Sequence, residues 1–397
     1  MMRPAVFSLM LVVFSLTTGE FVIAGILPEV AGGLGVSVAS AGALVTAYAI
    51  GMIIGGPVVT VLTARVARKP LVVGLVSIAI LANLGSAFAP NYAVLLAMRG
   101  AAGSVVATFF AVAVATAVST AQPGTEATAV ARVALGMNLG IVLGTPLGAA
   151  IGQSLGWRAT FAAVACCAAA AVPLVLRFMP DQPGSAAGSI QHELRVFADG
   201  DVLWAIALTA VGNVGVVMVF TYITPLLTEV GGFPAGAVPI LLLVYGVGAV
   251  LGNQLGGKLA DRALLPSVTG LLAALAGVLL LFWLAGGVRI ATAALTFLLG
   301  VLAFAVIPGM QARVVTAATA APTLAVAVNA SGFQLAAAGA GRIGGWVIGD
   351  GAGVRWLYPV GAVLTGCGIA VAGCLLWRDR RASSRREPDR QAEFENG

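Results

Sequence analysis

Tyr48-Ala49-Ile50-Gly51-Met52-Ile53-Ile54-Gly55 returns later in the chain as Tyr245-Gly246-Val247-Gly248-Ala249-Val250-Leu251-Gly252. The two octets stand 197 positions apart, about half of a 397-residue chain. The same shift carries Pro28 onto Pro225 and Arg65 onto Arg262. It also carries Gly144, Gly148, Gly152, Gly156 and Arg158 onto Gly341, Gly345, Gly349, Gly353 and Arg355. Glycine is abundant here, so its matches alone mean little. One constant offset that also aligns Pro, Tyr and two Arg reads as a duplicated half.

The halves are almost wholly apolar. Hydrophobic residues make up 60% of the chain and charged ones 9%, where a soluble domain carries roughly 25% charged residues. Such a chain cannot cover itself in water and is solvated by lipid. A helix needs about 20 apolar residues to cross the hydrocarbon core, and about twelve such runs can be counted, six per half. They are too long and too evenly apolar for barrel strands. The fold class expected is an all-α membrane protein of twelve transmembrane helices in two pseudo-symmetric six-helix bundles. Duplicated membrane halves are a mark of secondary transporters, whose substrate site lies between them at mid-membrane.

The boundaries expected are a first bundle over 1–179, a cytoplasmic linker over 180–200, a second bundle over 201–378 and a disordered cytoplasmic tail over 379–397. The only histidine, His192, falls in the linker and reads as a solvated loop residue. The first run is read as a retained helix, because it continues to about Leu27 and contains Glu20. The net charge of +6 does not point to nucleic acid. Arg65, Arg68, Lys69, Arg132, Arg177, Arg195, Lys258, Arg262, Arg313 and Arg378 fall in alternate loops or at their edges, and the other loops hold few, Arg158, Arg289 and Arg355. By the positive-inside rule both termini are cytoplasmic. The four cysteines have no metal spacing, and no metal or cofactor is expected.

Several segments resemble the major facilitator superfamily. Gly257-Lys258-Leu259-Ala260-Asp261-Arg262 is similar to that family's cytoplasmic loop signature. There a short Gly turn brings helix ends together, and an acid beside a helix N-terminus gains dipole energy of roughly 0.3–1 kcal/mol. The resemblance implies a charge latch that closes in one conformation. The first half keeps the basic residues Arg65, Arg68 and Lys69, but Ala64 stands where the acid would be. These basic residues set topology or gate, and the sequence leaves both open. Leu95-Leu96-Ala97-Met98-Arg99-Gly100-Ala101-Ala102-Gly103 resembles the family's fourth-helix motif, which implies a role for Arg99 in proton coupling. The alternative is an interfacial Arg snorkelling to headgroups.

Gly136, Gly140, Gly144, Gly148 and Gly152 recur every fourth residue and make one bare helical stripe, which lets another helix approach closely. Pro146 lies within it. Gly140-Ile141-Val142-Leu143-Gly144-Thr145-Pro146-Leu147-Gly148 resembles the antiporter motif of drug/proton exporters, with Thr145 between the Gly and Pro that usually adjoin. The resemblance implies a helix that helps seal the two halves. The first helix, with Thr17, Glu20 and Pro28, looks like that of bacterial exporters of the chloramphenicol and arabinose-efflux-like groups. Glu20 sits well inside an apolar run, where a carboxylate is costly unless protonated, paired or facing water. It reads as a proton-coupling group or as a structural buried acid, with Thr17 one turn earlier able to hydrogen-bond it.

Asn138, Asn213, Asn329 and Gln334 are polar groups in apolar runs and are expected to face the interior. Tyr222 is either a cavity residue or an interfacial anchor. Asn329-Ala330-Ser331-Gly332-Phe333-Gln334 resembles the family's eleventh helix, which implies that Phe333 and Gln334 line the cavity with Thr17, Tyr48, Asn138, Asn213, Tyr222 and Asn329. No phosphate-binding glycine loop or hydrolase elbow is present, so neither ATP drive nor an enzyme is expected. The resemblance implies a monomeric, multi-pass transporter of the bacterial inner membrane. Its partners would be a small-molecule substrate, protons and the lipid bilayer, with no nucleic acid. The function implied is export of a small chloramphenicol-like amphipathic drug in exchange for protons; the alternative is export of sugars or nucleosides.

Overall fold

Inside lipid every backbone N–H and C=O must find an internal partner, so long apolar runs fold as helices. The computed structural model describes residues 4–122, 124–183, 200–317 and 322–395. Eleven helices in it are long and apolar enough to cross a membrane. They are α1 (Pro4–Gly25), α2 (Val38–Thr63), α3 (Arg68–Ala87), α4 (Tyr92–Ser119), α5 (Thr128–Leu155), α6 (Trp157–Phe178), α7 (Gly200–Thr221), α8 (Ala235–Arg262), α9 (Leu264–Leu284), α10 (Arg289–Ala317) and α12 (Val354–Asp379). Between the last two lies α11, 28 residues from Pro322 to Gly349. Large apolar side chains such as Leu62, Leu81, Ile290 and Val363 lie on the outside, where lipid and not water is their solvent.

The duplication read from the sequence is a duplication of packing. In the first half the helices neighbour one another in the order α2, α4, α3, α6, α1, α5; in the second the order is α8, α10, α9, α12, α7, α11. Each helix has its equivalent six places on. The bundles meet along two seams, α2 on α11 and α5 on α8, which a two-fold axis would exchange. Contacts repeat at the level of atoms. A Cβ on Gly103 of α4 would strike the carbonyl of Tyr48, and one on Gly300 of α10 would strike the carbonyl of Tyr245. Gly300→Ala is therefore expected to destabilise by about 1–3 kcal/mol through overpacking, and Gly103→Ala by a similar amount. Gly270→Ala, which meets open space, should be neutral. Thermal midpoints in detergent check all three.

Two helix irregularities stand just before prolines. A proline cannot donate to the carbonyl a turn before it, and the chain compensates locally. Wide π-type turns precede Pro57 (Gly51–Gly55) and Pro146 (Gly140–Gly144). Thr145, the residue inserted before Pro146, donates its hydroxyl to the Gly140 carbonyl at 3.3 Å. Regular α-helix ends at Phe21 in α1 and at Thr221 in α7.

Three expectations change. Gly257–Arg262 is not a loop: it forms the end of α8, and only Ala263 separates it from the helix that starts at Leu264. Asp261 thus sits at a helix C-terminus, where the dipole favours Arg262 over an acid. The tail expected to be disordered continues α12 as helix to Glu395; its Arg, Ala, Glu and Gln are good helix formers, and Asp379 is paired with Arg313 at 3.0 Å. Arg68 does not gate between halves here. It donates to Gln182 Oε1 at 2.6 Å and to Ser119 Oγ at 3.2 Å, and beside it Lys69 meets Asp181 at 3.7 Å, so the pair fastens the start of the linker to the first bundle. His192 and linker residues 184–199 lie outside the described residues.

Candidate functional site

The glycine stripe of α5 packs along α1, the helix that carries Glu20. Built Cβ atoms on Gly136, Gly140, Gly144, Gly148 and Gly152 would meet Met10 and Val13, Thr17, Thr18, Val22 and Ile26 in turn. The stripe therefore faces α1 of its own bundle along four turns. The stripe is not the face that α5 turns to the second bundle. That contact comes from the other side of α5, where Val142 lies on Gly246 and Ala149 approaches Gly25, itself in contact with Leu242. Thr17 spends its side chain in the stripe contact and makes no hydrogen bond to Glu20. Asn138 lies half-buried one turn before Val142, on the α5 face that turns to α8.

Glu20 is half-buried, and its Oε1 accepts a hydrogen bond from Gln334 Nε2 of α11 at 2.9 Å. This bond crosses from one bundle to the other. Behind Glu20, Arg99 has no exposed surface at all. Its Nη1 donates to the Gly19 carbonyl at 2.7 Å and its Nη2 to the Glu20 carbonyl at 3.4 Å. The guanidinium lies 4.4 Å from the Tyr48 ring centroid and 5.7 Å from that of Phe161, a geometry that stabilises a desolvated cation. Arg99 thus grips the backbone of the Glu20 turn and leaves the carboxyl to Gln334. A buried Arg away from headgroups excludes snorkelling. Chemically, the centre offers one carboxyl able to exchange a proton, a fixed cation behind it, and an amide on the opposite bundle that senses it.

Other expected cavity residues are placed differently. Tyr48 is buried beneath Arg99. Tyr222 is fully buried, with its hydroxyl donating to the Gly341 carbonyl at 2.8 Å and lying 3.4 Å from that of Ala39. Asn213 and Asn329 are used inside the second bundle: Thr209 Oγ1 donates to Asn329 Oδ1 at 2.6 Å, and Asn213 Nδ2 donates to the Thr209 carbonyl at 2.8 Å. Burial cost required these groups to face protein, not a cavity. Phe333 is half-buried beside Gln334. Arg65, Asp261 and Arg262 are exposed, and among the described residues no ion pair reaches them. Glu29 is half-buried in the short helix Leu27–Leu34, and burial lifts its carboxyl above the ordinary range.

The halves are tied at the face opposite the basic helix ends. Thr224 Oγ1 donates to the Ala24 carbonyl at 2.7 Å, and Thr46 Oγ1 to the Ala338 carbonyl at 2.9 Å. Together with Tyr222 on Ala39, these are hydroxyl-to-carbonyl bonds without charge. Among the described residues no hydrogen bond or ion pair joins the bundles at the basic face. Sequence reasoning missed Thr46 and Thr224, and it missed an aromatic row: Phe21 and Phe220 (centroids 5.9 Å), Phe220 and Tyr245 (4.7 Å), Tyr245 and Phe304 (6.3 Å). Its one signal was the recurrence of Tyr48 as Tyr245. Two surface grooves, of about 320 Å³ beside Arg132 and about 510 Å³ between α2 and α4, include neither Glu20 nor Arg99. No group of His, Cys, Asp and Glu among the described residues could hold a metal ion.

A model of the major facilitator superfamily matches residues 9–323. The chain is 34% identical to the uncharacterized transporter YfhI of Bacillus subtilis, over 92% of either chain. It is 31% identical to a chloramphenicol resistance protein of Streptomyces lividans, over 82% of this chain and 84% of that one. Among solved structures, a D-xylose–proton symporter superposes with a TM-score of 0.71 at 15% identity, over 92% of this chain and 96% of that one.

Proposed function

The chain belongs to the major facilitator superfamily of membrane transporters, and we propose that it exports a small amphipathic, chloramphenicol-like compound across the bacterial inner membrane in exchange for protons. The observation that carries this reading is the hydrogen bond from Gln334 to Glu20, because it makes the contact between bundles depend on the state of one carboxyl. The basic face is cytoplasmic by the positive-inside rule, so both termini are cytoplasmic. The bonds at Ala24, Ala39 and Ala338 then close the outer side, and the cavity opens inward. Substrate enters from the cytoplasm and its arrival releases the proton of Glu20. The halves rock outward, substrate leaves, an external proton binds Glu20, and the carrier resets. Arg65, Asp261 and Arg262, at the separated basic helix ends, approach one another in the outward-facing state and latch it.

Arg99 stays charged and fixed through the cycle, held by two carbonyls and two rings. The driving force is the proton gradient, with no other cofactor. The few polar side chains near Glu20 favour a neutral or singly charged apolar substrate over a sugar or nucleoside, since Asn213 and Asn329 are already committed within their bundle. The relative named for chloramphenicol resistance agrees with this choice.

The test uses proteoliposomes with a trapped pH dye and no imposed gradient. Adding chloramphenicol outside is expected to move protons in the opposite direction to the drug, at a rate that saturates. Saturable drug uptake without proton movement would remove the antiport mechanism, and competition by arabinose in place of chloramphenicol would favour the sugar reading.

A further inference from the structure

Arg99 is fastened by only part of its guanidinium. Nη1 and Nη2 donate to the carbonyls of Gly19 and Glu20 at 2.7 and 3.4 Å. Its Nε–H, on a side chain with no exposed surface, has no partner among the described residues. Asn83 of α3 is its complement. Asn83 is 4% exposed, and its Nδ2 donates to the Ala79 carbonyl at 2.8 Å. A carbonyl can only accept, so this bond fixes which end of the amide is which. The buried Oδ1 is left, and it too has no partner among the described residues. A buried polar group left unpaired costs about 1–3 kcal/mol, and more when it is charged. Native interiors seldom leave a donor and an acceptor in that condition.

Both residues border Gly19, on the side where it has no side chain. Asn83 Oδ1 lies 3.6 Å, and its Nδ2 4.0 Å, from where a Cβ on Gly19 would stand, with Val164 Cγ1 of α6 at 3.2 Å. Arg99 reaches the same residue through the Gly19 carbonyl. Ala82, the neighbour of Asn83, packs with Tyr48 and Ala102, and the Tyr48 ring is the one beneath the guanidinium at 4.4 Å. The internal repeat shows that these features go together. The residues 197 positions after Gly19, Asn83 and Arg99 are Val216, Leu280 and Thr296. Val216 is buried, Leu280 is exposed on the outside, and the Thr296 hydroxyl is turned back onto the Thr292 carbonyl at 2.8 Å. The half that lacks the buried cation also lacks the bare helix face and the amide.

We propose that one water is held in the space beside Gly19, accepting from Arg99 Nε and donating to Asn83 Oδ1, and that Asn83 is thereby a positioning residue of the proton centre. Buried waters settle where polar groups offer about two to four partners, and here a donor and an acceptor are both unmet. The role of this water rests on the antiport reading above; its existence does not. Through the water Asn83 fixes the guanidinium. Through the guanidinium it fixes the backbone of Gly19 and Glu20, so that the carboxyl meets Gln334 in one place. α3 is in this way tied to the acid on α1.

The direct test is a structure of the purified full-length chain at a resolution that shows ordered waters. One water within hydrogen-bonding distance of both atoms is expected. Direct contact between Arg99 Nε and Asn83 Oδ1, or no water on either, overturns the proposal. The positioning role is read in proteoliposomes as gradient-driven chloramphenicol transport set against drug-for-drug exchange. Asn83→Leu keeps the bulk of the side chain without its polar atoms. It should lower gradient-driven transport about three- to tenfold, the size of one hydrogen bond, and leave exchange unchanged. Gly19→Ala puts a Cβ in the place of the water and should do the same, although alanine is the better helix former. Adding Val164→Ala, which relieves the closest contact of that Cβ, should not restore transport. Asn83→Leu should add nothing in the Gly19→Ala background, since both remove one water. Asn83→Asp in its neutral form donates to the Ala79 carbonyl and keeps the acceptor, so it should retain most of the parental rate. If Asn83→Leu folds poorly, Gly19→Ala carries the test. Additive losses in the double variant, or equal loss of exchange and gradient-driven transport, make Asn83 a packing residue and overturn its role. A water at the site with no proton movement in the dye assay upholds the site and removes only the antiport reading.

Discussion

Glu20→Gln is expected to abolish chloramphenicol transport driven by a pH gradient, down to the level of empty vesicles, and to leave drug-for-drug exchange intact. Gln has the shape of a protonated Glu and cannot lose a proton, so it holds the carrier in one protonation state. Its amide oxygen can still accept from Gln334 Nε2, which now donates to Glu20 at 2.9 Å. Arg99 should not move either, because it holds the carbonyls of Gly19 and Glu20 and not the carboxyl. The variant should therefore fold as the parent does. Exchange needs only that the loaded carrier turn over, whereas net transport against a gradient needs the proton to be handed on. Exchange should also lose its dependence on pH, since the group that titrates at the site is gone. Gradient-driven transport by Glu20→Gln at the parental rate would remove Glu20 from the mechanism. Loss of exchange together with gradient-driven transport would show that the carboxyl does more than carry a proton.

The same centre shows what the sequence could and could not reveal. Glu20, Arg99 and Gln334 stood out because a polar group in an apolar run is expensive, and that cost marks a residue without saying what it touches. Gln334 lies 314 residues from Glu20, and only the seating of one bundle against the other brings them together. Asn213 and Asn329 stood out for the same reason, yet their cost is met inside one bundle, so the inference to a cavity failed. The glycine stripe was legible as a close-packing face. Periodicity gives the face of a helix and not its partner, and the partner proved to be α1. Phe21, Phe220 and Phe304 were silent because an aromatic side chain in a membrane helix is ordinary composition, and Tyr245 was marked only as the repeat of Tyr48. The twelve-helix plan and its duplication were legible in full, since both follow from the length of apolar runs and from one offset.

The second large effect is expected at that stripe. A Cβ on Gly144 would land on the hydroxyl of Thr18 and crowd its Cβ and Cγ2 at 2.8 and 2.9 Å. Thr18 cannot step aside easily, because its hydroxyl is bonded to the Phe14 carbonyl at 2.7 Å. Its neighbours along α1 are held in the same way by Gly140 and Gly148. Gly144→Val must push α1 away from α5 or unwind the wide turn Gly140–Gly144. Overpacking of this kind costs about 1–3 kcal/mol for an added methylene and more for a branched side chain. A domain has only about 5–15 kcal/mol to lose. Little folded protein should reach the membrane, and what does should have a markedly lower thermal midpoint. Gly144→Ala should be intermediate. Pairing it with Thr18→Gly, which vacates the space the new Cβ needs, should recover a large part of the loss, less roughly 0.3 kcal/mol for glycine in place of threonine in the helix. Non-additivity of that size is the signature of direct contact. Because Thr18 and Glu20 share α1, Gly144→Ala should impair proton coupling more than equilibrium binding of chloramphenicol. Strictly additive stabilities in the double variant, or equal losses of binding and coupling in Gly144→Ala, would show that α5 is a passive neighbour of α1 and does not place its carboxyl.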